Sequence, residues 1–217
     1  MFITFEGLDF SGKTTQANLL IANLKGLLRA RNENPQIVSL IREPGGTRIS
    51  ERIRDILLDK KSLDVNDTTE LFLFSASRSQ LVGEVIAPAL RRGEIVVCDR
   101  YHDSTTAYQG YGRGIDLEAI RTINRVATLG IDPDLTLLVD ITVDEITLRK
   151  SLAGVPFDRM ESLGRGFYER VRNGYLEMAE REPNRFYRVN GMAPVQAVQR
   201  EIWKAVEERL PVHKQLV

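Results

Sequence analysis

The stretch Phe2-Ile3-Thr4-Phe5-Glu6-Gly7-Leu8-Asp9-Phe10-Ser11-Gly12-Lys13-Thr14-Thr15 decides the fold. Residues 2–6 form a short apolar run with strand character. Residues 7–14 then read G-x-x-x-x-G-K-T. After them Ala17, Leu20, Ile21, Leu24, Leu27 and Leu28 recur at helical spacing up to residue 30. A strand, a glycine-rich turn and a helix, in that order, are the context a phosphate-binding loop (P-loop) requires. Glycines let the backbone curl so that successive N–H groups converge, and the helix N-terminus adds a partial positive charge there. Gly7, Leu8, Asp9, Phe10, Ser11, Gly12, Lys13, Thr14 and Thr15 are therefore expected to cradle the phosphates of a nucleoside triphosphate. Lys13 would reach the β- and γ-phosphates, and the Thr14 hydroxyl would take a Mg²⁺ position.

Outward from this stretch, short apolar runs alternate with longer helical patterns. Strands are expected at 36–41, 94–98, 135–139 and 185–189, and helices at 48–59, 68–91, 116–129, 143–152, 162–181 and 194–209. Fully apolar strands alternating with helices indicate a parallel sheet covered on both faces. The expected fold is α/β: a three-layer P-loop sandwich with a five-stranded parallel sheet, one domain over 1–217. The irregular Gly154-Val155-Pro156-Phe157 stretch suggests a short lid at about 149–160. The third run ends Val96-Val97-Cys98-Asp99-Arg100-Tyr101, which places Asp99 at the carboxyl edge of the sheet. There it could share the Mg²⁺ shell with Thr14, and Arg100 would point at a phosphate.

Composition narrows the classes. The 217 residues carry 30 basic and 30 acidic side chains, so the formal net charge is zero. Binders of nucleic acid or anionic membranes normally show a basic excess, so neither is expected as a partner. One cysteine excludes an internal disulfide framework, and two histidines leave little for a His-based metal site. No apolar stretch approaches the roughly 18–20 residues of a spanning helix, and a soluble cytoplasmic protein is the expectation. Of the 30 basic residues 23 are arginine, a side chain that makes forked contacts to phosphate and carboxylate.

Four segments resemble the thymidylate kinase family across nearly the whole chain. They are Phe5-Glu6-Gly7-Leu8-Asp9 through Lys13-Thr14-Thr15-Gln16, Arg42-Glu43-Pro44-Gly45-Gly46-Thr47 with Ile53-Arg54, Leu73-Phe74-Ser75-Ala76-Ser77-Arg78, and Asp99-Arg100-Tyr101 through Ser104-Thr105-Thr106-Ala107-Tyr108-Gln109-Gly110. The resemblance implies phosphoryl transfer from Mg·ATP to dTMP, giving dTDP and ADP, and a homodimer. By position it implies that Asp9 binds the deoxyribose 3′-hydroxyl and that Arg54 and Arg100 hold the acceptor phosphate. Phe74 would stack on thymine, Arg78 would bond the base edge, and Ser104, Thr105 and Gln109 would line the base and sugar. Glu43 and Pro44 would shape the wall, and Tyr108 would crowd a ribose 2′-hydroxyl. The spacing agrees, since Phe74 and Arg78 are four apart and share a helix face.

The acceptor of such a reaction is already a phosphate with a second pKa near 6, so no general base is required. Catalysis would rest on positioning and charge neutralisation by Lys13, Mg²⁺ and arginines. The family often carries an arginine at the third variable P-loop position or in an Arg-Gly-rich lid. Here position 10 is Phe, and residues 149–159 lack an Arg-Gly run. Arg149, Lys150 and Arg159 are the candidate cations, with Arg149 and Arg159 preferred. His102 reads as structural. Two alternatives stay open: a diverged kinase for another nucleoside monophosphate, or a nucleotide-binding module of weak activity.

Overall fold

The computed structural model describes residues 1–59, 64–153 and 164–210. Five strands form one parallel sheet: β1 (Phe2–Glu6), β2 (Val38–Arg42), β3 (Ile95–Asp99), β4 (Leu135–Asp140) and β5 (Phe186–Asn190). Their spatial order is β2-β3-β1-β4-β5, with Phe5 opposite both Asp99 and Leu137. The P-loop strand is thus central, and its carboxyl end lies beside the carboxyl end of β3.

Strand alternation divides β1 between two cores. Ile3 and Phe5 pack with α1 (Lys13–Ala30) and α9 (Val195–Glu207) through Leu20, Leu24, Val198 and Ile202. Phe2 packs on the other face with Leu81, Ile86, Val96 and Tyr101. Complete burial of each such side chain contributes about 1.5–3 kcal/mol. On that second face Thr4 and Glu6 follow Phe2, so the strand periodicity carries a carboxylate into the interior.

The helices begin where short polar side chains can cap them. Thr47 Oγ1 accepts from Ser50 N ahead of α2 (Arg48–Leu58), and Asn66 accepts from Thr68 N ahead of α3 (Asp67–Leu81). Asp116 does the same for α6 (Leu117–Ala127). The expected single helix at 68–91 is α3, a π turn at Val82–Ile86, and α4 (Ala87–Arg91). Pro88 has no N–H with which to continue the α ladder, and the wider turn lies just upstream of it. Phe72 on α3 is 56% exposed rather than packed.

Residues 102–112 carried no expected element. They form α5 (His102–Thr105) and a π turn at Thr106–Gly112. Gly110 and Gly112 hid this in the pattern, and both are needed for close approach. A Cβ on Gly112 would lie 2.6 Å from the Phe167 ring, and one on Gly110 2.7 Å from Leu117. The remaining helices are α7 (Val143–Ala153) and α8 (Arg165–Arg181). The Gly154–Phe157 lid segment and Arg159 lie outside the described residues.

Candidate active site

The P-loop turns out of β1 through Gly7, whose φ is +134°. A Cβ there would sit 2.4 Å from the Val139 carbonyl oxygen, so only glycine fits between β1 and β4. Gly12 also has positive φ, at +94°, and hands the chain to α1. Lys13 Nζ donates to Leu8 O at 2.6 Å and to Ser11 Oγ at 3.3 Å. Burial pushes the Lys13 ammonium down to about 8, and Arg100 adds to this against Asp9, Asp99 and Glu6. A group so placed gains by meeting an anion. The Leu8 side chain is core rather than ligand-facing, so that residue offers only its backbone. Thr15 is exposed on the first turn of α1 and lines neither of the two chambers described next.

The first chamber has a volume of about 640 Å³ and is lined by Lys13, Thr14, Asp99, Arg42 and Phe10 among others. Thr14 Oγ1 donates to Asp99 Oδ2 across the β1–β3 edge. A hydroxyl and a carboxylate as a paired oxygen set suit Mg²⁺, which takes one or two protein oxygens and completes its shell with phosphates and water. Among the described residues no group of three or more His, Cys, Asp or Glu is placed to hold a metal ion.

The second chamber, of about 150 Å³, brings together every residue expected on the acceptor side: Asp9, Glu43, Pro44, Arg54, Phe74, Arg78, Arg100, Ser104, Thr105, Tyr108 and Gln109. Leu58 and Tyr101 join them. The two chambers share Asp9, Glu43, Arg54 and Arg100.

Arg100 stands at this junction. Its φ is +71°, unusual for a residue with a side chain. Arg100 N donates to Phe5 O at 3.0 Å, and the next N–H, of Tyr101, donates to Glu6 Oε1 at 2.7 Å. These bonds fix the turn. The guanidinium then donates to Gly7 O at 3.0 Å, Ser104 Oγ at 3.1 Å, Asp9 Oδ1 at 2.5 Å and Tyr108 OH at 3.3 Å. Tyr108 OH in turn donates to Asp9 Oδ2 at 3.0 Å. Burial alone would raise the Asp9 carboxyl; Arg100, Lys13 and Tyr108 outweigh it and hold the group below its ordinary value. Arg54 donates to Pro44 O at 2.7 Å.

Arg78 is anchored differently. It pairs with Glu43 at 2.5 Å and donates to Thr105 Oγ1 at 2.7 Å and Asn124 Oδ1 at 2.8 Å. Phe74, one turn earlier on α3, is half-buried at the chamber wall rather than in the core.

Of the candidate cations, Arg149 is a brace. It donates to Phe10 O (3.2 Å), Ser11 O (3.3 Å) and Gly191 O (2.8 Å), and pairs with Glu145 at 2.7 Å. It lines neither chamber. Lys150, less favoured from sequence, places its ammonium 5.6 Å from the Phe10 ring centroid. His102 sits against Asp103 and Asp132, away from both chambers.

Sequence reasoning gave no role to Glu6, Glu70 or Tyr175. Glu6 is fully buried and accepts from Tyr101 N, Ser104 Oγ and Tyr175 OH, three groups that surround Arg100. The only signal was a charged residue ending an otherwise apolar strand.

The thymidylate kinase family model matches residues 5–202. The chain belongs to the thymidylate kinase family. It is 46% identical to the thymidylate kinase of Chlorobium luteolum, over 96% of this chain and 98% of that one. It is 44% identical to that of Deinococcus radiodurans, over 96% and 97%. The crystal structure of the Ehrlichia chaffeensis thymidylate kinase superposes with a TM-score of 0.74 at 37% identity, covering 95% of this chain and 98% of that one. Membership of this kinase family carries the activity: phosphorylation of dTMP by ATP, a step in dTTP synthesis. No helix among the described residues is long and apolar enough to cross a membrane.

Proposed function

We propose that the acceptor chamber holds dTMP with its phosphate at Arg100 and Arg54, and that the P-loop chamber holds ATP. The observation that carries this reading is the junction itself: Asp9, Glu43, Arg54 and Arg100 belong to both chambers. A phosphate at Arg100 would therefore face a γ-phosphate at Lys13. In the reaction an ionised oxygen of dTMP attacks the γ-phosphorus, the bond to the β–γ bridging oxygen breaks, and ADP leaves. Lys13 and Arg100 neutralise the charge that gathers on the transferring group. Asp9, released from Arg100, can accept from a sugar hydroxyl while Tyr108 still donates to it. Phe74 offers its ring to the base, and Ser104 and Thr105 line the same side. Thr14 and Asp99 would hold Mg²⁺, which supplies neutralisation of the triphosphate when bound. Glu43 and Pro44 act through position, fixing Arg78 and Arg54 respectively.

Homodimer formation is part of the proposal. Support comes from Ile56, Phe72 and Val126, exposed apolar residues on α2, α3 and α6, of which α3 packs against both others. Light scattering at the mass of one chain would refute it. We place the protein in the cytoplasm.

The test is ADP release from Mg·ATP with dTMP, dUMP, UMP, CMP and AMP in turn, using Lys13→Ala as the blank. Strong preference for dTMP is expected. ADP release that ignores the acceptor would overturn the assignment of the chamber.

A further inference from the structure

Gln109 faces the acceptor chamber with a side chain whose chemistry is ambiguous. A glutamine amide offers an acceptor oxygen on one side and two donor hydrogens on the other, and a half-turn exchanges them. Something must therefore decide which one a base meets. Behind Gln109 stands Glu70, fully buried on α3 and unused by the reaction just described. Gln109 Nε2 donates to Glu70 Oε1 at 2.9 Å. On the far side Arg113 donates from Nε to the same oxygen at 3.3 Å and from a terminal nitrogen to Glu70 Oε2 at 3.0 Å.

The logic is one of donors and acceptors. A guanidinium only donates, so both Glu70 oxygens are acceptors. The Gln109 atom turned toward Glu70 must be the amide nitrogen, and the carbonyl oxygen is left for the chamber. Arg78 lines the same chamber and is likewise a donor only. The wall thus offers one fixed donor and one fixed acceptor. A 4-keto pyrimidine with an N3–H presents the complementary acceptor and donor. Cytosine presents the reverse, an amino donor and a ring-nitrogen acceptor. Arg78 cannot invert its polarity, but Gln109 can by turning over.

We propose that Glu70, held by Arg113, is the positioning residue that sets base selectivity, by locking the Gln109 amide with its oxygen toward the base. This rests on the base occupying the acceptor chamber as proposed above. A reversed amide would welcome cytosine, and the buried Glu70 carboxylate forbids it because it would then face a second acceptor.

Glu70→Gln tests this at nearly constant volume, since the new amide can pair with Gln109 in either orientation. The measurement is kcat/KM for dTMP and for dCMP, with the KM for ATP and the melting temperature alongside. The dTMP-to-dCMP ratio is expected to fall at least about tenfold while the KM for ATP holds, because misplaced polar partners dominate such discrimination. Arg113→Gln, one step further back, should lower the same ratio by less. It decides the matter alone if Glu70→Gln fails to fold. Equal losses on both acceptors, leaving the ratio at its wild-type value, would overturn the inference and assign Glu70 a structural role. Wild-type protein without preference for dTMP would instead sink the functional reading on which it rests.

Discussion

Of the three arginines that line the acceptor chamber, Arg78 and Arg100 each meet a carboxylate at 2.5 Å. The Arg78 and Glu43 side chains are 1% and 2% exposed, whereas those of Arg100 and Asp9 are 19% and 22% exposed. The difference separates scaffold from machinery. In the buried pair neither charge can lose its partner without standing uncompensated in a low-dielectric interior. Burial already pushes the Glu43 carboxyl up despite the guanidinium beside it. In the half-open pair an incoming phosphate can take Arg100 while Tyr108 and Lys13 still face Asp9. One arginine is thus fixed by its partner, as the base-reading role proposed for Arg78 requires, and the other is open enough to meet the anion proposed for Arg100.

The largest expected effect breaks the buried pair. Arg78→Met should cost about 3–5 kcal/mol of stability in urea unfolding, and adding Glu43→Met should recover most of it. A loss below about 1 kcal/mol would erase the distinction between the two pairs, since exposed pairs contribute that little. Next, Arg100→Met should lower kcat/KM for dTMP by about 100–1000-fold, the effect of removing one preorganised donor to a reacting group. Its melting temperature should move less than that of Arg78→Met. The reverse order of stabilities would show that Arg100 is the scaffold.

The smallest effect concerns Glu6, which supports Arg100 through Ser104 and Tyr175. Burial raises its carboxyl from 4.5 to about 7, with Asp103 adding and Arg100, Ser104 and Tyr175 opposing. The folded protein then keeps this proton at a pH where the unfolded chain has released it. The stability it contributes is present below about 4.5 and is lost as pH rises toward about 7. Glu6→Gln has no proton to lose. The melting temperature of wild type minus that of the variant should therefore fall across this window, and a constant difference would show that Glu6 does not titrate there.

The P-loop was legible because its chemistry is local: glycines, a lysine and a hydroxyl within eight residues, between a strand and a helix. The residues of the second chamber were singled out through family resemblance, as they come from segments far apart in the chain. Phe74 shows why. Its apolar neighbours predict core, and only the packing of α3 leaves its ring at a chamber wall. Arg149 was singled out from sequence as a candidate cation, and only the structure shows that it donates to P-loop carbonyls. Glu6 lies on the Phe2 side of the strand alternation, but nothing local in the sequence assigns a role to it or to Glu70, because the partners of both come from distant segments.

By itself, then, the sequence determined the parallel α/β order, the phosphate loop and the carboxyl edge at Asp99, since strand and helix periods and glycine turns act over a few neighbouring residues. The tertiary structure decided which charges are buried, which arginine can exchange partners and which way Gln109 turns. Those depend on dielectric surroundings and on donors and acceptors delivered from Glu43, Glu70 and Arg113, and no local pattern in the chain brings such groups together.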